Sequence, residues 1–209
     1  MKKNIFLMLA MALFAFTACN DDDDNARELP APVSSGTFTD ERDGTHYGYV
    51  QYGKLEWMTE NLRFKATTGT FYPDLTESTY YYNDPINKRY YNEFGGLYDF
   101  TAATASVPEG WRLPTKEDWE QLISEVGAEN LAKAVNLQFG GFYLDPELDR
   151  QIGLYDYTYA MSLYWTSTTD SDKTDQYAYY VKLLYNSTDV QLQSMTKANF
   201  LNVRCVRNK

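Results

Sequence analysis

Thr45, Tyr47, Tyr49 and Gln51 alternate with His46, Gly48, Val50 and Tyr52, the period of two that lays a strand on a surface. Lys54 to Met58 can return across Gly53, so residues 45–58 are expected to form a hairpin. A different period governs residues 119–126: Trp119, Leu122, Ile123 and Val126 fall at i, i+3, i+4 and i+7, the stripe of a half-buried helix. Its start is written in detail. Pro114 fixes the approach, and Thr115 with Asp118 three residues on has the spacing of a capping box. Glu117, Asp118 and Glu120 suit the positive end of the helix dipole, and Gly127 stops the helix. LYDFTAATA, residues 97–105, reads as a short helix, and ENLAKAVN, 129–136, as another. Gly69, Pro73 and Pro85 make residues 64–94 loop-like, and 137–163 read as irregular with two or three short strands. Strands are expected at 163–168, at 177–185 paired with 189–195 across Asn186, Ser187 and Thr188, and at 201–207. No internal repeat is visible. Two main short helices mixed with short, mostly antiparallel strands define an α+β class.

The N-terminus follows another logic. Residues 1–18 carry two lysines, an apolar run from Ile5 to Ala18 and small residues before Cys19, the layout of a secretory signal that is removed. The run is shorter than the roughly 20 residues of a comfortable membrane span. Phe16-Thr17-Ala18-Cys19 resembles a bacterial lipobox, which implies lipid attachment at Cys19; Phe stands where Leu is usual. An ordinary signal followed by a free cysteine is the alternative. Acyl chains, at about 0.8 kcal/mol per buried CH₂, would hold the chain on a membrane. Asp21 to Asp24 repel one another and cannot bury apolar surface, so residues 19–36 are expected as a solvated acidic tether and 37–209 as the domain. An acidic run after the lipid cysteine resembles the surface-export signal of Bacteroidetes lipoproteins. The expected location is therefore the outer membrane, lipid-anchored and facing the cell exterior.

Charge narrows the partners. Removing Lys2 and Lys3 with the leader takes Lys+Arg from 19 to 17 against 29 Asp+Glu, a net charge of −12. Nucleic acid and anionic lipid are not expected to bind such a surface. With Cys19 consumed by lipid, Cys205 has no partner for a disulfide, and packing must hold the fold. The 19 Tyr, 11 Phe and 4 Trp supply large apolar areas for that purpose.

Several fragments, taken in order, resemble one family. DGTHYGYVQYGKLEWMTENL, FGGLYDFTAAT, VPEGWRLPTKEDWEQL, YWTSTT and NVRCVR are similar to the Fibrobacter succinogenes major paralogous domain, across about residues 38–207. The family is similar to C-type-lectin-like folds, which implies one compact α+β domain whose termini meet in one sheet. In the family a cysteine usually precedes the Pro-x-Gly-Trp element and would pair with the last-strand cysteine. Here that place is Val107, so Cys205 is expected to pack as a small apolar side chain. Arg204 and Arg207 flank it, with Arg204 on the opposite strand face.

Candidate chemistry is sparse. His46 is the single histidine, which excludes His-rich zinc sites and leaves any triad resting on one strand residue. Asp145, Glu147 and Asp149, and again Asp170, Asp172 and Asp175, alternate acids in loops as hard-cation sites do, without the glycine and terminal glutamate of an EF-hand. No pair of carboxylates stands out as a glycosidase site. The expectation is no catalytic residue, no metal ligand set and no cofactor, with calcium left open. Trp57, Trp111, Trp119 and Trp165 lie within the family fragments and are expected in the core. Tyr80, Tyr81, Tyr82, Tyr90 and Tyr91 crowd one irregular segment, and Tyr155, Tyr157 and Tyr159 another. A tyrosine offers a flat apolar face and a hydroxyl at low entropic cost, so Tyr81, Tyr82, Tyr90 and Tyr91 are the candidate contacts for a glycan or protein. A binding module is the leading expectation; a structural or accessory subunit of a surface assembly and a carboxylate-dependent hydrolase are the alternatives.

Overall fold

The structure, a computed structural model, describes residues 27–71, 92–144 and 158–209. Within them ten strands and three short helices follow one another: β1 (Ser34–Asp40), β2 (Thr45–Tyr52), β3 (Leu55–Met58), β4 (Thr70–Phe71), β5 (Leu97–Tyr98), α1 (Phe100–Ala105), α2 (Lys116–Val126) and α3 (Leu131–Ala134), then β6 (Met161–Thr169), β7 (Tyr177–Leu184), β8 (Val190–Thr196), β9 (Leu201–Asn202) and β10 (Val206–Asn208). A single 3-10 turn, Ala128–Asn130, joins α2 to α3.

The strands make two sheets, ordered β1-β2-β3-β10 and β4-β5-β9-β6-β7-β8. Among the described residues the pairings between these named strands are antiparallel except β6 with β9, and the class is α+β as expected. The first and last strands share one sheet. The 45–58 hairpin forms across Gly53, whose φ of 54° suits glycine at a tight turn. The β7–β8 hairpin forms likewise, with Asn186 at φ 55° in its turn.

α2 fits its sequence closely. Thr115 Oγ1 accepts from the Asp118 amide, and the Asp118 carboxylate accepts from the Thr115 amide, so the capping box is closed on both sides. The same carboxylate pairs with Arg112. Trp119, Leu122 and Val126 are buried, and Gly127 ends the helix at φ 86°.

The six-stranded sheet is covered on both faces. Leu163 and Trp165 of β6 join Tyr98, Trp111, Met58 and Cys205 on one side, whereas Tyr164 joins Trp57, Trp119, Leu131 and Val206 on the other. All four tryptophans are buried, and Trp57 meets Trp119 at 4.7 Å between ring centroids. Packing carries the fold, since the one cysteine among the described residues is free and buried.

Three sequence expectations change. Leu97 and Tyr98, expected in a helix, are strand β5, because they pair with Asn202 and Leu201; the helix starts only after Asp99, whose side chain caps the Ala102 amide. The last strand is not one strand: Leu201–Asn202 belongs to the six-stranded sheet and Val206–Asn208 to the other, with residues 203–205 crossing between them. The boundary drawn at residue 36 falls inside β1, which begins at Ser34 and pairs with β2 from Gln51.

Candidate functional site

The crossing segment carries a fully buried cation. Arg204 donates through Nη1 to the carbonyls of Met58 (2.9 Å) and Val135 (3.1 Å), and through Nη2 to Asn61 Oδ1 (2.7 Å), Gln138 Oε1 (2.9 Å) and the Asn136 carbonyl (3.2 Å). No carboxylate is among these partners. Burial lowers its pKa from the ordinary value, and its Nε is without a hydrogen-bond partner. Five neutral oxygens around one guanidinium suit its fixed fork of donors, which a lysine could not match.

Asn61 and Asn202 extend this base. Asn61 Nδ2 donates to the Phe94 carbonyl (2.7 Å) and to Asn202 Oδ1 (3.1 Å), while Asn202 Nδ2 donates to the Gly141 carbonyl (2.7 Å) and Ser162 Oγ (2.9 Å). Backbone comes unusually close here. A Cβ at Gly95 would lie 2.7 Å from Asn61 Cβ, and one at Gly140 would lie 2.8 Å from Asn202 Oδ1. Two stretches, 92–96 and 137–144, are thus seated on one buried amide and guanidinium network.

Above that base lies an aromatic ridge. Phe94 meets Tyr159 edge to face at 5.1 Å, and Phe139 meets Tyr185 in the same way at 5.5 Å. The Tyr159 amide donates to the Phe139 carbonyl and the Tyr185 amide to Ala160, both at 2.8 Å, so the pairs are joined through the backbone. Tyr159 is 47% exposed and Tyr185 59%, and among the described residues only Val33 is a comparably exposed large apolar side chain. Such rings present both an apolar face and a hydroxyl to solvent.

The ridge stands where two tyrosine-rich stretches of the sequence join the fold. Tyr80, Tyr81, Tyr82, Tyr90, Tyr91, Tyr155 and Tyr157 lie outside the described residues, as does Cys19. Phe94 follows the first stretch and Tyr159 belongs to the second, and these two touch. Tyr185 escaped sequence reasoning because it reads as the last residue of a strand. Its place directly before the turn residue Asn186 was the available signal.

The other candidates resolve differently. His46 is exposed, its Nδ1 2.9 Å from Thr39 Oγ1 and its carbonyl accepting from Arg63. Asp170 is buried, accepts from Ser194 and Tyr179, and has Lys173 Nζ at 3.8 Å. The Ser194 hydroxyl, and after it Lys173, holds this carboxylate below the usual range. Lys173 also donates to Ser194 at 2.7 Å. Serine, lysine and aspartate therefore meet, but the hydroxyl faces a carboxylate that is a poor proton acceptor, and the cluster ties Asp170 and Lys173 to strand β8. Among the described residues no three His, Cys, Asp or Glu side chains gather as metal ligands; Asp145, Glu147 and Asp149 lie outside those residues. Burial pushes the Cys205 thiol up to about 12, which removes its thiolate at neutral pH. Among the described residues no helix is long and apolar enough to cross a membrane.

The protein is thus an α+β domain of two mainly antiparallel sheets, with a buried polar base beneath exposed aromatics. Residues 50–141 match the family model described as the Fibrobacter succinogenes major domain, which supports the resemblance to that family. The matched span runs from β2 through α3 to the Asn202-bound Gly141, and so takes in Trp57, Trp111 and the capping box. No curated protein and no solved structure matches the chain.

Proposed function

We propose that this protein is a non-catalytic binding module, displayed on the outer face of the cell by lipid attached at Cys19. The carrying observation is the exposure of Tyr159 and Tyr185 on a ridge that the buried network below holds in place. Flat apolar faces with hydroxyls suit the ring faces of a glycan or the surface of a protein. Tyr81, Tyr82, Tyr90 and Tyr91 are proposed as further ligand contacts on the strength of their residue type. Support for a C-type-lectin-like relationship is the resemblance itself, together with the shared sheet of β1 and β10. Calcium has no role in this reading. The anchor and outward display rest on the lipobox-like FTAC segment and the aspartates behind it.

Glycan and protein arrays probed with residues 26–209, with and without calcium, test the reading. Binding that is lost in Tyr159→Ala or Tyr185→Ala chains of unchanged melting temperature supports it. A ligand held equally well by both variants moves the contact surface elsewhere, and activity on an arrayed glycan would make the domain a hydrolase. An accessory subunit of a surface assembly would bind nothing on either array, yet would copurify with fixed partners after cross-linking on cells.

A further inference from the structure

Residues 27–33 precede the first strand and yet are fastened to the domain. Arg27 Nη1 donates to the Ser124 carbonyl (2.9 Å), the Arg27 amide to Glu129 Oε1 (3.3 Å), and Asn130 Nδ2 to the Arg27 carbonyl (2.7 Å). Further along, Tyr52 Oη donates to the Pro30 carbonyl (3.2 Å) and the Val33 amide to the Gln51 carbonyl (2.9 Å). Leu29 packs on the cluster that holds Trp119, Val126 and Leu131. These contacts run from the C-terminal end of α2 and the 3-10 turn to the start of β1. They are what a strap makes, and a solvated tether would make none of them.

We propose that residues 27–33 are a docked strap that turns the Ser124–Asn130 end of the domain toward the bilayer; this rests on the lipid-anchor reading for Cys19. Only residues 20–26 separate that cysteine from the docked Arg27. At about 3.6 Å per residue, eight Cα steps reach at most about 29 Å. A domain of this size is about 40 Å across. The leash is shorter than the body it holds, so the body cannot turn over. The side facing the lipid is the one where the strap leaves, and the side facing outward is the one farthest from Arg27. Near that end the sequence carries Arg27 and Lys133 against Glu28, Glu125 and Glu129, a mixed set that a neutral or anionic bilayer does not attract strongly. Orientation comes from the short leash and not from adhesion.

The test uses the full lipidated chain in vesicles whose headgroups carry a nitroxide quencher. Cys205 is fully buried, so a dye attached to an introduced surface cysteine reports one place. Ser124→Cys and Glu117→Cys lie on exposed positions of the same helix, about 10 Å apart along its axis. Quenching about twofold or more stronger at position 124 than at 117 is expected over such a separation. Equal quenching, or stronger quenching at 117, overturns the strap. Combining Arg27→Ala, Leu29→Ser and Asn130→Ala lengthens the free leash and should bring the ratio toward one in a chain that still melts cooperatively. A ratio that survives this release also overturns it. Intact mass of the reconstituted protein separates the two layers: a chain without acyl groups on Cys19 refutes the anchor, whereas an acylated chain with equal quenching refutes the strap alone.

Discussion

The guanidinium of Arg204 lies 2.7 Å from Asn61 Oδ1, and the Asn61 amide in turn holds the Phe94 carbonyl at 2.7 Å. A charge from the last turn of chain thereby supports the stretch that leads into the aromatic ridge. Lysine in its place keeps the charge and loses the fork, leaving several buried oxygens without donors. Arg204→Lys should cost about 2–4 kcal/mol, since each orphaned buried acceptor costs about 1–3 kcal/mol and some will find water. Arg207, whose side chain is 31% exposed and pairs with Glu56, is the control. Its guanidinium also stacks on Trp111 at 4.5 Å, so its replacement by lysine should cost about 1 kcal/mol, still less than at Arg204. Urea unfolding of the two variants side by side decides the matter, and equal losses would show that the buried network adds nothing.

Trp111→Ala and Trp119→Ala should each destabilise by roughly 3–5 kcal/mol, as emptied aromatic sites in cores do. Thr115→Ala should cost only about 1 kcal/mol through the lost cap. Asp118→Ala removes the reciprocal cap and the Arg112 pair together and should fall between these limits. Thermal melts rank the four, and Thr115→Ala matching the tryptophan variants would contradict the assignment of the helix start.

Gly95 has φ 79° and no room for a side chain. Gly95→Ala should therefore lose at least about 2 kcal/mol, from left-handed backbone strain and from contact with the Leu62 carbonyl, which is backbone and cannot swing away. Gly110 also has positive φ but opens onto free space, so Gly110→Ala should lose only about 1 kcal/mol. A reversed order in denaturant midpoints would mean that the 92–96 stretch is not seated as described.

Alkaline pH should unfold the domain in a specific window. In the unfolded chain the Cys205 thiol ionises near its ordinary value of 9, while burial in the fold keeps it protonated up to about 12. Below 9 the thiol is protonated in both states and its contribution is fully present. Between 9 and 12 the unfolded chain releases a proton that the native chain retains, so stability falls by up to about 1.4 kcal/mol per pH unit. Burial raises the Tyr47 hydroxyl as well, which adds to the loss above its ordinary value of 10. Urea midpoints across this range should decline in the natural chain and decline less steeply in Cys205→Ala. In the folded protein at neutral pH a maleimide should leave Cys205 unmodified.

Elements legible in the sequence are those closed by near neighbours. The 45–58 and 177–196 hairpins need only a period of two and a turn, and α2 needs a stripe and a cap. The strands that were not read correctly depend on partners far along the chain. Leu97 and Tyr98 are too few to show a period, and nothing near them announces Asn202 and Leu201. β1 carries one large apolar residue, Phe38, whose partners Tyr47 and Trp111 come from other segments. Within NVRCVR the arginine looked like the polar half of an alternation. Its real role follows from a change of sheet that local pattern does not encode. For the site, crowding of tyrosines was visible as composition, and Tyr159 among them proved exposed. Tyr185 needed the fold to bring it to Phe139.

The passage of residues 201–208 from one sheet to the other has a consequence for biosynthesis. β9 lies between β5 and β6, and β10 completes the edge of the first sheet beside β3. A nascent chain lacking these residues has a gap inside the larger sheet, an uncovered edge on the smaller one, and no Arg204 for the oxygens gathered around it. Both sheets therefore reach their full strand order only once residues 201–208 have been made, however early the 45–58 and 177–196 hairpins pair.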